Sequence, residues 1–150
     1  MIGNLSTQET EEVLKDSILG RIGCNDDRKN YVVPISYVYD GEYVMAHSAE
    51  GMKIEMMRRD PNICFQVDAI DDYNNWKCVI AWGKFEEVKD ELERNKIMKV
   101  FVDRMLHLKI SETAIPPEMQ ENRMHQFHKN IKPVIYRIKL LEKTGRFEKR

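Results

Sequence analysis

A chain of 150 residues is the size of one domain, and folding at that length buries roughly two-thirds of the surface the unfolded chain exposes. Hydrophobic residues at 42% and charged residues at 33% exclude a disordered chain and one built of apolar membrane spans. With 24 Lys plus Arg against 25 Asp plus Glu, the net charge of −1 offers no field for nucleic acid or an anionic membrane, so any anion site has to be local.

Ser6-Thr7-Gln8-Glu9 has the form of a capping box, which predicts a short helix running to about Ser17. Leu19 to Cys24 reads as a strand, 25–29 as a polar turn, and Asn30 to Tyr39 as a strand rich in Val, Ile and Tyr. Asp40-Gly41 accepts the positive φ of a tight turn and returns the chain along Glu42 to His47. Ser48-Ala49-Glu50-Gly51 then leads into a helix from about Met52 to Arg59, which Pro61 ends. Asn62 to Asp68 and Lys77 to Val88 read as strands separated by the polar, aromatic stretch 71–76. From Asp90 the period becomes helical, with Leu92, Ile97, Val100, Phe101, Met105 and Leu108 largely on one face. Pro116-Pro117 breaks it, a second short helix follows from Glu118 to Phe127, and Pro133 to Leu141 forms the last of six strands. Connections this short favour antiparallel pairing, so the expected fold is a single α+β domain over residues 1–150, a barrel or strongly curled sheet with flanking helices.

Cys24, Cys64 and Cys78 are odd in number and fit neither a paired disulfide framework nor a CxxC motif, so buried free thiols are expected. The start Met1-Ile2-Gly3-Asn4 carries no basic leader and no run approaches a membrane span, which points to the cytoplasm.

His47-Ser48-Ala49-Glu50-Gly51-Met52-Lys53 places a hydroxyl, a glycine and a lysine where a strand passes into a helix. Unpaired N–H groups at a helix N-terminus favour an anion, Gly51 allows close approach, and Lys53 adds a full charge, which outlines a phosphate site. The segment is equally readable as an ordinary Ser N-cap followed by a solvated lysine.

From Leu19 to Val88 the chain resembles the pyridoxamine-phosphate-oxidase-like flavoproteins, in particular the branch of the nitroimidazole-resistance (Nim) reductases. The matching stretches are Leu19-Gly20-Arg21-Ile22, Tyr31-Val32-Val33-Pro34-Ile35-Ser36-Tyr37 and His47 to Lys53. They continue with Arg58-Arg59-Asp60-Pro61-Asn62-Ile63-Cys64-Phe65 and with Trp76-Lys77-Cys78-Val79 running into Trp82-Gly83-Lys84. Tyr136-Arg137-Ile138 and Thr144-Gly145-Arg146 are similar in style. The resemblance implies a split β-barrel that binds FMN at a homodimer interface and acts as an oxidoreductase on a small organic acceptor, or else serves as a flavin carrier, sensor or store without turnover. It also implies that Lys53, helped by Ser48, binds the FMN phosphate. Val33, Pro34 and Ile35 would lie along the flavin, with His47 beside the ring as a candidate proton donor to a nitroimidazole. Trp76 and Cys78 would line the site from a neighbouring strand. Many relatives carry Ser or Gln where this chain has Cys78. The arginine-rich C-terminal signature of true pyridoxamine-phosphate oxidases is missing from Gly145-Arg146-Phe147-Glu148-Lys149-Arg150, which disfavours vitamin B6 oxidation.

No metal site is expected: His125 and His128 have HxxH spacing but no third ligand nearby in sequence. His107 reads as a helix C-terminal residue, Met52, Met56 and Met57 as core packing, Trp82 as core or dimer interface, and Cys64 as an inert strand thiol. Trp76 is open between flavin contact and packing, and Asp71-Asp72 reads as a solvated loop.

Overall fold

The computed structural model describes residues 1–112 and 132–150. The elements are β1 (Ile2–Asn4), α1 (Thr7–Asp16), β2 (Leu19–Asn25), β3 (Asn30–Ser36), β4 (Val38–Tyr39) and β5 (Tyr43–Ser48), followed by α2 (Met52–Arg59), β6 (Asn62–Asp72), β7 (Asn75–Glu87), α3 (Glu91–Glu112) and β8 (Val134–Glu148). The predicted Pro116-Pro117 break, the helix over 118–127 and the pair His125 and His128 lie outside the described residues. No described helix is long and apolar enough to cross a membrane.

The strands form one antiparallel sheet in the order β3-β2-β6-β7-β8-β5-β4, with β1 added to β8. Its two ends, β3 and β4, are separated in the chain by Tyr37 alone. A sheet whose opposite edges are joined through a single residue has to roll up, and the result is a split barrel. Tyr37 holds the closure: it is fully buried, its N–H donates to the Ile18 carbonyl at 3.0 Å, and its O–H donates to the Leu14 carbonyl at 2.7 Å. Its ring meets that of Phe65 edge-on at 4.9 Å. The single strand expected over 30–39 is therefore two, because its first half pairs with β2 and its second with β5.

Alternate residues of the strands fill the barrel. Ile22, Phe65, Val67, Val79, Ala81, Tyr136 and Ile138 are buried there with Val13 and Leu14 of α1 and Ile54, Met56 and Met57 of α2. A bulge between Trp82 and Gly83 leaves Leu141 out of the register and bends β7 against β8. A β-carbon at Gly83 would run into the Lys139 carbonyl oxygen, so the bend depends on glycine there.

The capping box forms as predicted, with the Ser6 hydroxyl accepting from the Glu9 N–H and the Glu9 carboxylate accepting from the Ser6 N–H. Gly41, at φ 101°, closes the β4–β5 hairpin. Helix α3 departs from expectation. Ile97 and Phe101 are buried, Ile97 over Met45, Val88 and Ile135, whereas Leu92 and Val100 are 72% and 44% exposed. Its apolar side is narrower than the sequence pattern indicated. β8 runs seven residues past the predicted end at Leu141, since both β7 and β1 are available to pair with it.

Candidate functional site

The split is a gap in hydrogen bonding. β3 pairs only with β2, and β4 pairs with β5 only at Val38↔Met45 and Tyr39↔Val44. Beyond these pairs the outer edge of β3 and the stretch Ala46–Ser48 of β5 face the gap without a strand between them among the described residues. Main-chain donors and acceptors on such an edge are open to a ligand.

Helix α2 starts at the end of β5, at the mouth of this gap. Its N-cap is Gly51, with no side-chain cap, and nothing stands within 4 Å of where a Gly51 β-carbon would lie. Ser48 is not the cap: its hydroxyl donates to the Ala49 carbonyl at 2.8 Å. The first-turn N–H groups of α2 thus have no side-chain acceptor. Beside them Lys53 is half-buried and makes no hydrogen bond or ion pair among the described residues. Burial pushes its pKa down, and the neighbouring Cys24 thiol opposes that shift. An unpaired, partly desolvated ammonium next to an uncapped helix N-terminus can hold an anion, and the donor set would suit a phosphate.

His47 and Met45 lie on the face of β5 that is turned toward α3. The His47 ring meets Phe101 edge-on with centroids 4.6 Å apart. Burial first, and the positive charge of Lys53 second, lower its pKa from the ordinary 6.5, so the imidazole is neutral at pH 7. A lowered pKa makes His47 a weaker reservoir of protons than an exposed imidazole would be.

On β3, Ile35 is buried and Val33 packs against the core, while Pro34 is exposed on the outer face. Contact with a ring system at this strand would be made by backbone and by Pro34. Trp76 and Cys78 lie elsewhere. Trp76 pairs with Glu148 and Cys78 with Arg146 near the end of β8, whereas Ser48 pairs with Val134 at its start. Trp76 is half-buried with its indole N–H donating to the Glu148 carboxylate at 3.0 Å, and the Cys78 sulfur accepts from the Gln66 amide at 3.5 Å. One chain therefore brings His47, Ser48, Lys53 and β3 together and leaves Trp76 and Cys78 apart from them.

Trp82 is not core: it is 41% exposed on the outer face of the sheet. The cross-strand row Val32, Gly23, Cys64, Trp82 borders an open groove of ≈ 680 Å³, which Leu141 and Asn62 also line. Leu19, Ile70 and Ile80 are further exposed apolar residues on these strands. The cysteines are free, with Cys24 buried and Cys64 and Cys78 half-buried. Met56 and Met57 are core, whereas Met52 is 44% exposed. The sequence reading overlooked two features, Phe101 covering His47 and the ion pairs of Arg58. Both depend on tertiary proximity with no local signal.

A family model described as pyridoxamine 5'-phosphate oxidase matches residues 6–146. An uncharacterized protein of Rhizobium meliloti is 31% identical over 84 residues, which are 56% of each chain, so the match spans little more than half the relative's length. An FAD-binding protein from Mesorhizobium loti superposes with a TM-score of 0.75 at 26% identity over 98% of both chains. The FAD binding protein of Mycobacterium smegmatis gives 0.64 at 24% over 97% of both. A candidate 5-nitroimidazole antibiotic resistance protein from Bacteroides thetaiotaomicron gives 0.70 at 19%, covering 98% of this chain and 87% of its own. The last two likenesses are likenesses of fold.

The His47 environment has a measurable consequence. Because its folded pKa lies below 6.5, the unfolded chain binds the proton more readily as pH falls below that value. Stability held above pH 6.5 should decline toward the folded pKa. Urea midpoints at pH 7.5 and 5.5 should differ in the wild type, and the difference should shrink in His47→Gln. An equal difference in both proteins would show that His47 titrates normally.

Proposed function

Because the chain belongs to the pyridoxamine 5'-phosphate oxidase family, we propose that it binds a flavin nucleotide, FMN, and acts as a flavin-dependent oxidoreductase on a small organic acceptor. The carrying observation is Lys53, half-buried and without an acidic partner among the described residues, beside the uncapped start of α2. One lysine and one helix N-terminus suit a single phosphate group, which favours the mononucleotide. The Mesorhizobium loti relative described as FAD-binding supports a flavin in general. Lys53 and the first-turn N–H groups of α2 hold the phosphate, and the free edge of β3 at Val33–Ile35 orients the ring with main-chain groups. A bound flavin supplies one- or two-electron transfer. His47, neutral, offers a hydrogen bond next to this region.

The working unit is a homodimer. The exposed Val32, Trp82, Ile80 and Leu141 form an apolar sheet face of the kind that a second copy covers. A two-fold axis sets residue i of one copy against residue j of the other and the reverse. It can therefore carry the Trp76 and Cys78 end of one chain to the Lys53 end of its partner, which the fold of one chain does not do. The acceptor is a small nitroaromatic such as a 5-nitroimidazole. The terminal residues favour it over a pyridoxal phosphate, since Arg146 lies within β8 and the Lys149 and Arg150 N–H groups bond to Met1 and Asn75 at the strand end.

Three results are expected. Lys53→Ala should weaken FMN by roughly 10- to 100-fold, the loss of one charge-assisted contact, and leave riboflavin nearly unchanged in titration calorimetry; equal losses for both would remove Lys53 from the phosphate site. Light scattering of the FMN-loaded protein should give twice the 17.8 kDa chain mass, and a monomer would end the dimer reading. Under anaerobic conditions the reduced flavoprotein should be reoxidised by a 5-nitroimidazole faster than free reduced FMN is. If it is not, the nitroaromatic reading fails.

A further inference from the structure

Arg58, in the last turn of α2, belongs to neither the core nor the proposed contacts, yet it is the most heavily bonded side chain in the vicinity. Its Nη1 and Nη2 donate to the two Glu50 carboxylate oxygens at 2.8 and 2.9 Å, while its Nε donates to Glu87 at 3.1 Å and Nη2 reaches the second Glu87 oxygen. Glu87 ends β7 and already neutralises the guanidinium. Glu50 is thus a second acid on one cation, and balancing Arg58 does not explain its placement.

Its position in sequence does. Glu50 immediately precedes the Gly51 N-cap, stands three residues before Lys53, and is the sole acid between His47 and Ile54. A carboxylate there is well placed to accept from first-turn N–H groups and to pair with the lysine. In the structure it does neither: α2 has no side-chain cap, and no ion pair joins Glu50 to Lys53. Arg58, seven residues after the Gly51 N-cap, instead holds both oxygens of the carboxylate.

We propose that Arg58 is a positioning residue that keeps Glu50 off the Lys53 anion site, so that the start of α2 receives a ligand phosphate instead of this chain's own carboxylate. The inference rests on the reading of Lys53 as a phosphate ligand. Glu87 anchors the guanidinium to the barrel, and Glu50 is the competitor that is restrained. Arg58 and Glu50 are 38% and 59% exposed in their side chains, so changes at either should leave the fold intact.

The test uses the full-length protein and compares FMN with riboflavin, which lacks the phosphate. Arg58→Gln should weaken FMN by about five- to tenfold with little effect on riboflavin, because the freed Glu50 competes for a charged site. Adding Glu50→Gln should restore FMN affinity to near the wild-type value, and Glu50→Gln alone should not reduce it. A purely structural role for the clamp predicts the opposite, since the double variant has lost still more of it. Arg58→Lys, with and without Glu50→Gln, carries the same comparison should Arg58→Gln fail to fold. The proposal is overturned if the double variant binds FMN no better than Arg58→Gln, or if FMN and riboflavin lose affinity equally. A Lys53→Ala control that leaves FMN affinity untouched would instead refute the phosphate reading beneath it.

Discussion

The stretch Asn30–Tyr39 belongs to both edges of the same sheet, and the rest of the molecule is arranged around that constraint. Its first half hydrogen-bonds to β2 and its second half to β5, with Tyr37 as the pivot. Two bonds at 2.7 and 3.0 Å fix Tyr37 to the end of α1 and the segment after it, so α1 is part of the closure and not an appendage. A continuous strand would have closed the barrel with an unbroken ladder. A strand that changes partners leaves a wedge of unpaired backbone, where a ligand can meet main-chain groups without breaking a strand pair.

The charge pattern follows from the same geometry. β5 ends at the wedge, so the helix that follows it opens there with its positive end outward. Tyr39, Glu11 and Lys143 form a mutually bonded group elsewhere on the barrel, and Arg137 and Lys139 meet Glu86 and Glu42 on the strands. These cations are matched by acids because they stabilise packing. Lys53 is partly desolvated and unmatched, a condition that costs free energy in the free protein and is relieved by an anion. In a chain with one excess negative charge, leaving a cation alone requires that a nearby acid be held elsewhere, and Glu50 is held by Arg58.

Features with a local cause were legible in the sequence. The Ser6–Glu9 box, the Asp40-Gly41 turn and the helix Met52–Arg59 each depend on a few adjacent residues, and each forms where its residues indicate. A barrel or curled sheet was legible in the short connections, its split form came from the family resemblance, and His47, Ser48 and Lys53 group together because one strand-to-helix junction carries all three. What depends on distant partners was not legible. The partner change at Tyr37 has no signature in a run of β-formers, and β1 is only three residues that pair because β8 extends to meet them. Helix α3 looks more amphipathic than it is, since among its described side chains only the large apolar Ile97 and Phe101 are buried, while Leu92 and Val100 are exposed. Trp82 reads as core or dimer interface by residue type, and strand alternation, which puts it on the outer face opposite Cys64, removes the first of these.

Trp76 and Cys78 carry the argument one step further. The resemblance places both beside the flavin with Lys53, Cys78 in a position where many relatives carry Ser or Gln, yet β8 separates them from Lys53 along most of its length. A flat or loosely curled sheet would allow no single ligand to touch both ends, and bending at the Gly83 bulge redirects β7 without shortening that path through the ladder. Two copies related by a two-fold axis remove the difficulty, because opposite ends of one chain become neighbours in the pair. In such a dimer each flavin joins two subunits, so the ligand favours the pair over separate chains by mass action, and its loss weakens the interface. In the proposed dimer the apolar outer face and the unmatched lysine would have a common role: each leaves the single chain incomplete, and the same assembly would complete both.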